Sequence, residues 1–280
     1  MANSKKGLAT PIWIVIAVAA LAVGVLLGHF VIGGGGAVSL SGKTTISEGD
    51  LDSPIASYTY DGKTTNVSAR EVIEQSSSLD AAKQDDGTYA VPSADDVLAY
   101  ARNAIVLQVA SDQGLSVSDE ERDQYAQDML QTTDYATVAA NYGIPEDTVK
   151  KIVSDSALMK KLRDSVVTTE LPTMPDAQTA PDDGNTDTAT QDYATYVISL
   201  LGDEWDATNN TWARTDGSYY AALSSYPISN ESATYAAAQA AYYVAYSNYS
   251  TASSQVSSEW TTYVNTLFSK ASIQIESLQA

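Results

Sequence analysis

Residues 95–130 of this 280-residue chain read DDVLAYARNAIVLQVASDQGLSVSDEERDQYAQDML, and this stretch decides the fold. It follows Ser93, a residue type whose hydroxyl caps helices. Apolar residues then recur every four positions, which predicts a helix with one buried face: Val97, Ala101, Ile105 and Val109. Gly114 ends this helix, because glycine adopts the left-handed backbone of a C-terminal cap. The chain is therefore predicted to be mainly α-helical.

Two more helices are predicted downstream. Ser118 and Glu121 form a capping box, which opens a helix with Tyr125 and Met129 directed inward. Pro145 then stands in the first turn of another helix, where its missing N–H costs nothing. Two acidic residues follow it and suit the positive N-terminal end of the helix dipole.

A β-hairpin is predicted upstream, over residues 56–67. Side chains alternate on both sides of Asp61-Gly62, the preferred dipeptide of a type I′ turn. Ser68 and Glu71 form a further capping box, so a helix should start directly after the second strand.

Composition excludes several function classes. The chain carries 35 acidic and 15 basic residues, and a net charge of −20 disfavours nucleic-acid binding. It has no cysteine, which excludes disulfides, thiolate metal sites and cysteine nucleophiles. Its single histidine, His29, lies in a hydrophobic segment, which excludes a Ser-His-Asp triad or a histidine-ligated zinc from the rest. We therefore expect no catalytic residue, metal or other cofactor.

The N-terminal region predicts a membrane anchor. Residues 11–32 are apolar or small except for His29, and their length suffices to span a bilayer as a helix. Lys5 and Lys6 precede them, so residues 1–10 form a cytoplasmic tail and the remainder is exported. A cleaved signal peptide is the alternative. The glycine run after the anchor predicts a flexible tether over residues 33–55.

The C-terminal part differs in composition. Residues 172–191 hold three prolines and little apolar bulk, which predicts a disordered linker. Residues 192–253 are rich in tyrosine and alanine and are interpreted as a helical insert. Residues 254–280 predict a last helix, followed by a short edge strand from Ser272. The inward side of that helix carries Trp260, Val264, Leu267 and Phe268.

At the level of these patterns the chain resembles the N-terminal module of SurA/PrsA-type extracytoplasmic chaperones, which are related to trigger factor. The strand-turn stretch YDGKTTNVSAREV (60–72), the stretch quoted above and YGIPEDTVKKIVSDSALMKKLRDSVV (142–167) carry the resemblance. In that family a final helix and strand return to close the module, and EWTTYVNTLFSKASIQI (259–275) is similar to that return. The resemblance implies a SurA N-domain-like module over residues 56–171, completed by residues 254–280.

The resemblance also implies a function. It indicates a holdase at the bacterial cell membrane, single-pass, with its C-terminal domain outside the cytoplasm and unfolded or nascent secreted proteins as partners. Members of this family often carry a parvulin prolyl isomerase domain, whose active site is built around histidines. This chain has none outside the anchor, so isomerase activity is not implied. The alternative is an envelope structural or adhesion protein that binds cell-wall or surface components.

Aromatic residues of the C-terminal part are the candidate binding residues: Tyr235, Tyr242, Tyr246, Tyr249, Trp205 and Trp212. The four tyrosines form a helical stripe that either lines a cradle for client peptides or packs the insert internally. Asp203, Glu204 and Asp206 form a dense acidic cluster near Trp205. They allow either a carboxylate-based site or an ordinary solvated loop, and the second interpretation is preferred.

Overall fold

The computed structural model describes residues 43–275, which are mainly helical. Their contacts divide them into two compact units. Unit 1 comprises residues 43–167 and 259–275, and unit 2 comprises residues 168–258. The corresponding boundaries predicted from the sequence lie after residues 171 and 253.

The described elements alternate along the chain. The strands are β1 (Thr45–Ile46), β2 (Pro54–Tyr60), β3 (Lys63–Ser68), β4 (Tyr89–Ala90), β5 (Ala189–Thr190), β6 (Trp205–Asp206), β7 (Thr211–Trp212), β8 (Ala233–Thr234) and β9 (Ser272–Ile275). The α-helices are α1 (Ala69–Ser76), α2 (Leu79–Ala82), α3 (Ala94–Asp112), α4 (Asp119–Leu130), α5 (Tyr135–Tyr142), α6 (Glu146–Val166), α7 (Gln191–Leu201), α8 (Ser218–Leu223) and α9 (Tyr235–Phe268). Short 3₁₀ turns cover Glu48–Asp50 and Gly202–Glu204.

A three-stranded antiparallel sheet in the order β3-β2-β9 organises unit 1. Asp61 and Gly62 both have positive φ, 48° and 74°, as a type I′ turn requires, so the predicted hairpin is confirmed. β9 pairs with the other side of β2, and Ala56 lies opposite Ile275. The predicted edge strand is therefore confirmed.

The helix starts follow from local capping. Both predicted capping boxes form, at Ser68 and Ser118, and Ser93, predicted as a helix cap, also forms a capping box with Asp96. The predicted face of α3 is buried in full: Val97, Ala101, Ile105 and Val109. Gly114 adopts φ of 78° just beyond the end of α3.

The helices after α3 differ from the prediction in three ways. The buried residues of α4 are Ala126 and Leu130, while Tyr125 and Met129 are only half-buried, so the buried face is offset by one residue. The helix α5 was not predicted, because its eight residues are few for a periodic signal; Asp134 caps its start. Pro145 is the N-cap residue of α6 rather than part of its first turn.

The lysines and the arginine of α6 are paired with acidic residues. Lys150 contacts Glu146 at 2.7 Å, Lys151 contacts Asp155 at 2.6 Å, and these are neighbours one helical turn apart. The remaining three basic residues are also in ion pairs: Lys160, Lys161 and Arg163. These exposed pairs make α6 a solvated face rather than a free basic patch.

The C-terminal segment completes the core of unit 1. Trp260, Val264 and Leu267 are buried, in one cluster with Val106 and Val109 of α3 and with further residues of α6. Phe268 packs against the same cluster and is partly buried. The predicted inward side of the last helix is therefore confirmed.

The N-terminal side of unit 1 corrects the predicted tether. Ile46, Leu51 and Ile55 are buried in the core, and β1 pairs with β4. Residues 45–55 are thus part of the folded unit and not of a flexible tether. The predicted tail and anchor, residues 1–10 and 11–32, lie outside the described residues. Among the residues described, no helix has both the length and the apolarity to cross a membrane.

Unit 2 is mainly helical, but it also contains short strands that the interpretation of residues 192–253 as a helical insert did not include. β6 and β7 form a small hairpin, and β5 pairs with β8. The tyrosine-rich stretch and the last helix, predicted as separate, form the single helix α9. Residues 250–258, STASSQVSS, hold neither glycine nor proline, so nothing in them breaks a helix.

The segment predicted as a disordered linker, residues 172–191, makes specific contacts. The carbonyl oxygens of Asp176 and Thr179 accept hydrogen bonds from the hydroxyls of Tyr196 and Tyr193, at 2.7 Å and 2.9 Å. Its last residues enter β5 and α7. Tyrosine hydroxyls thus donate hydrogen bonds to a backbone segment that has no regular secondary structure. The proline-rich composition of the segment does not reveal these bonds.

If the C-terminal segment completes unit 1, Leu267→Ala should lower the free energy of unfolding by about 2–5 kcal/mol, because it leaves a cavity in the core. The measurement is urea unfolding of a fragment from Ala37 to Ala280, followed by circular dichroism. Leu171→Ala is the matched control, since Leu171 is 48% exposed, and we expect a change within about 0.5 kcal/mol. Equal costs for the two variants would contradict the closure of unit 1.

Candidate functional site

Small side chains of α9 face the core of unit 2. Ala237, Ala238 and Ala241 are fully buried, in one cluster with Val197 and Leu201 of α7. Because alanine is short, helix backbones packed on such a face come close together, and a tyrosine ring has no room between them. The tyrosines of α9 therefore lie at the margins of this face or in solvent.

Three of these tyrosines form an aromatic cluster, which we call the tyrosine cluster: Tyr242, Tyr243 and Tyr246. The rings of Tyr242 and Tyr246 stack with centroids 5.9 Å apart, and Tyr243 meets Tyr242 edge-on at 5.6 Å. Tyr243 is 64% exposed and Tyr246 is 44% exposed, whereas Tyr242 is half-buried. The cluster thus presents an apolar surface to solvent with one ring anchored at its base.

The anchored ring reaches the neighbouring helix α7. Burial raises the pKa of Tyr196, and the nearby Tyr242 hydroxyl raises it further. The Tyr196 hydroxyl in turn donates to the Asp176 carbonyl oxygen. Tyr242, at the base of the tyrosine cluster, therefore lies close to Tyr196 of α7.

The predicted stripe separates into two parts. Tyr242 and Tyr246 belong to the tyrosine cluster, while Tyr235 lies with its ring 5.5 Å from that of Tyr193. Tyr249 is half-buried. Tyr243, the most exposed tyrosine of the cluster, was missed because a strict spacing of three or four residues passes over it. The tyrosine doublet at 242–243 was the available signal.

The two predicted tryptophans lie in the β6-β7 hairpin and stabilise it. Their rings, from Trp205 and Trp212, meet edge-to-face at 5.5 Å, and Trp212 contacts Tyr220 in the same manner at 5.2 Å. Trp205 is buried, and its Nε1–H donates to Asn230 Oδ1 at 2.9 Å. A buried indole with a satisfied donor offers little contact area to a ligand.

Each member of the acidic cluster has a structural partner. Asp203 pairs with Arg214 at 3.0 Å, and Asp206 accepts backbone hydrogen bonds from Thr208 and Asn209 in the hairpin turn. A side-chain hydrogen bond from Asn209 is the main cause that lowers the pKa of Asp206. Among the described residues, no three acidic or histidine side chains are grouped so as to hold a metal ion. These contacts match a structural loop.

Glu204, the third acid, is buried and caps the start of α8. Its carboxylate accepts from the backbone N–H groups of Tyr219 and Tyr220, at 3.2 Å and 2.7 Å. These are two of the N–H groups that a helix leaves unpaired at its first turn. A Cβ atom at Gly217 would overlap this carboxylate, so glycine is required there. The position of α8 thus depends on Glu204 and Gly217.

A shallow pocket of about 430 Å³ lies between α8 and α9 in unit 2. Ser218 and Ala222 of α8 line one side, and the other side is formed by residues of α9: Ala240, Tyr243, Val244, Ser247 and Asn248. Tyr243 is shared with the tyrosine cluster. The sequence did not indicate this pocket, because most of its lining residues are small and they come from two different helices.

Substituting Gly217 should destabilise unit 2 through the overlap with Glu204. The backbone of Gly217, with φ of −88°, is accessible to alanine, so backbone strain is not the cause. We expect Gly217→Ala to cost about 1–3 kcal/mol in urea unfolding. Gly49→Ala is the control, since its new Cβ would meet only Ser47 Oγ, at 3.8 Å.

A double-mutant cycle isolates this contact. Glu204→Ala removes the overlapping carboxylate, so the cost of Gly217→Ala should shrink in that background. Strictly additive costs would show that the overlap is not the cause of the destabilisation.

The contacts above are what indicate a function for this chain. Comparison with family models, with curated proteins and with solved structures gave no significant match. The functional conclusion therefore depends on the tyrosine cluster, the pocket beside it and the chemistry of their side chains.

Proposed function

We propose that this chain is a membrane-anchored extracytoplasmic holdase that binds unfolded or partly folded exported polypeptides without isomerising their prolines. The exposed tyrosine cluster of α9 is the observation that carries the proposal. Two of its rings present much of their surface to water, although most other large apolar residues among residues 43–275 are buried or half-buried. Apolar surface retained in this way marks interaction sites.

The distribution of exposed apolar residues favours unit 2 as the client-binding part. Among the described residues, five large hydrophobic side chains are exposed. Tyr142 lies in unit 1, whereas four lie in unit 2: Leu171, Met174, Tyr243 and Tyr246. An exposed set concentrated in one unit is what a surface for apolar client segments requires.

The type of side chain suits weak and unselective binding. Tyrosine offers a large, rigid ring whose immobilisation costs little rotamer entropy, and its hydroxyl tolerates water. An open surface of this kind recognises apolar area rather than a sequence, so many clients bind and leave quickly. That behaviour is what a holdase needs.

The organisation of unit 1 supports the relationship to SurA-type chaperones that the sequence suggested. A hairpin, a series of capped helices and a returning helix and strand occur in the expected order. The family's isomerase chemistry is left out of the proposal, since no histidine occurs beyond His29.

The predicted anchor and the charge complete the proposal. Attachment through residues 11–32 raises the local concentration of the binding surface where exported chains emerge. The net charge of −20 keeps a complex with an apolar client in solution by mutual repulsion.

Aggregation of a chemically denatured model enzyme, diluted into buffer and followed by light scattering, tests this function. The fragment from Ala37 to Ala280 should suppress scattering at near-stoichiometric amounts, because its exposed rings occupy apolar client segments. An inert protein of equal net charge is the control for electrostatic repulsion. Scattering equal to that control would overturn the proposal.

Matched tyrosine variants locate the binding surface. Tyr243→Ser combined with Tyr246→Ser should abolish at least about half of the suppression, since binding of this kind scales with apolar area. Tyr142→Ser is the control, because Tyr142 is 39% exposed but lies outside the cluster. Full suppression by the double variant would exclude the tyrosine cluster as the client surface.

A further inference from the structure

We infer that the pocket between α8 and α9 binds one neutral sugar ring of an oligosaccharide or polysaccharide. This site goes beyond the holdase function, because its lining differs in chemistry from the tyrosine cluster. Its volume of about 430 Å³ lies within the roughly 300–1,000 Å³ typical of small-ligand pockets. It is also open, so a ring can enter while the rest of a glycan chain stays in solvent.

The lining combines one aromatic ring with small apolar side chains. Tyr243 forms a wall, and Ala222, Ala240 and Val244 cover the remaining apolar part. A pyranose ring has an apolar face of C–H groups, and that face packs well on an aromatic ring. The exposed ring of Tyr243 supplies such a surface without requiring a change of the backbone.

Neutral polar groups occupy the rest of the lining. Ser218 and Ser247 contribute hydroxyl groups, and Asn248 contributes a side-chain amide. Burial raises the pKa of Tyr219, and the nearby Asn248 side chain partly offsets this, so the amide lies close to the Tyr219 hydroxyl. Hydroxyls and an amide both donate and accept hydrogen bonds, as the ring of hydroxyl groups at the edge of a sugar does.

Charge excludes anionic ligands from this site. The seven described residues that line the pocket carry no formal charge. Residues 168–258 contain eleven acidic residues and a single basic one, Arg214, for a net charge of −10. Arg214 is engaged by Asp203 and Asp216, at 3.0 Å and 2.7 Å. A phosphate, sulfate or uronate group would find no unpaired cationic side chain in this unit and would be repelled.

Pocket size and shape also argue against a larger apolar occupant. Four lining residues are alanine or serine, and the side chains at both helices are short: Ser218, Ala222, Ala240 and Ser247. Such a pocket is shallow and partly polar, so it provides limited apolar contact but several hydrogen-bonding directions. A flat, amphipathic ring matches that combination.

Saturation-transfer difference NMR on the full chain in lipid nanodiscs tests the inference. The probes are N,N′-diacetylchitobiose, maltose and lactose, with galacturonate as the anionic comparison. Nanodiscs replace maltoside detergents, whose head groups are sugars. We expect saturation transfer to the ring protons of at least one neutral probe and none to galacturonate. Absence of transfer to all three neutral probes, or equal transfer to galacturonate, would overturn the inference.

Two alanine variants of α8 provide the matched comparison. Ala222 lines the pocket and Ala221 does not, and both side chains are exposed. Ala222→Phe fills the pocket and should weaken probe binding at least about tenfold, whereas Ala221→Phe should leave it unchanged. Probe binding that survives Ala222→Phe would show that the sugar binds elsewhere. Tyr243 lines the pocket and also belongs to the tyrosine cluster, so Ala222→Phe is assayed for suppression of aggregation as well. Lost sugar binding with retained suppression assigns the sugar to the pocket and not to the cluster.

Discussion

Pairing of β9 with β2 is the constraint on which the rest of the architecture depends. Ala56 and Ile275 lie opposite each other although most of the chain separates them, so their contact requires closure of a very long loop. The entropy of that closure is offset by the buried side chains that precede β9, above all Trp260, Val264 and Leu267. Segments from before and after residues 168–258 are thus joined in one sheet of unit 1. In the sequence, residues 168–258 are therefore an insertion into unit 1.

The alanine face of α9 determines which residues of the insertion are available for binding. Ala237, Ala238 and Ala241 are fully buried, in one cluster with residues of α7 and with Leu223 of α8. A tyrosine among them would overpack the core, so the tyrosines of this helix occupy its flanks and its solvent side. The placement of alanines and tyrosines along α9 thus determines both the packing of the core and the exposed aromatic surface.

Local chemistry could be predicted from the sequence, whereas long-range packing could not. The serines that open α1, α3 and α4 and the Asp61-Gly62 turn depend on neighbours within four residues, and all of them form as expected. The burial of Leu51 depends on a core assembled from distant segments, so its neighbourhood was mistaken for a tether. The role of Gly217 depends on Glu204, thirteen residues away, and no local pattern reveals it.

In the candidate site, too, some features could be predicted from local sequence and others depend on long-range packing. Tyr242 and Tyr246 follow a helical spacing and were predicted. Their exposure, however, depends on the alanines of α9 that face the core. The pocket required α8 to lie beside α9, and α8 is held by the Glu204 carboxylate. Glu204, which the sequence offered as a possible catalytic or metal-binding carboxylate, instead fixes the helix that forms one side of the pocket. The sequence pattern identified the Glu204 carboxylate as a notable group, but only the fold showed that its role is structural.

Electrostatics decides which ligand classes can reach these surfaces. The one basic residue of unit 2, Arg214, is held between two carboxylates, and the net charge of −10 on residues 168–258 gives this unit a net negative field. At physiological ionic strength this field extends about 8 Å from the surface, which covers a ligand in contact but little beyond. Anionic lipid and nucleic acid are therefore repelled only on close approach, while neutral and cationic surfaces are tolerated. An apolar polypeptide segment and an uncharged sugar ring are both compatible with that field, and the tyrosine cluster and the pocket differ in which of the two their side chains suit.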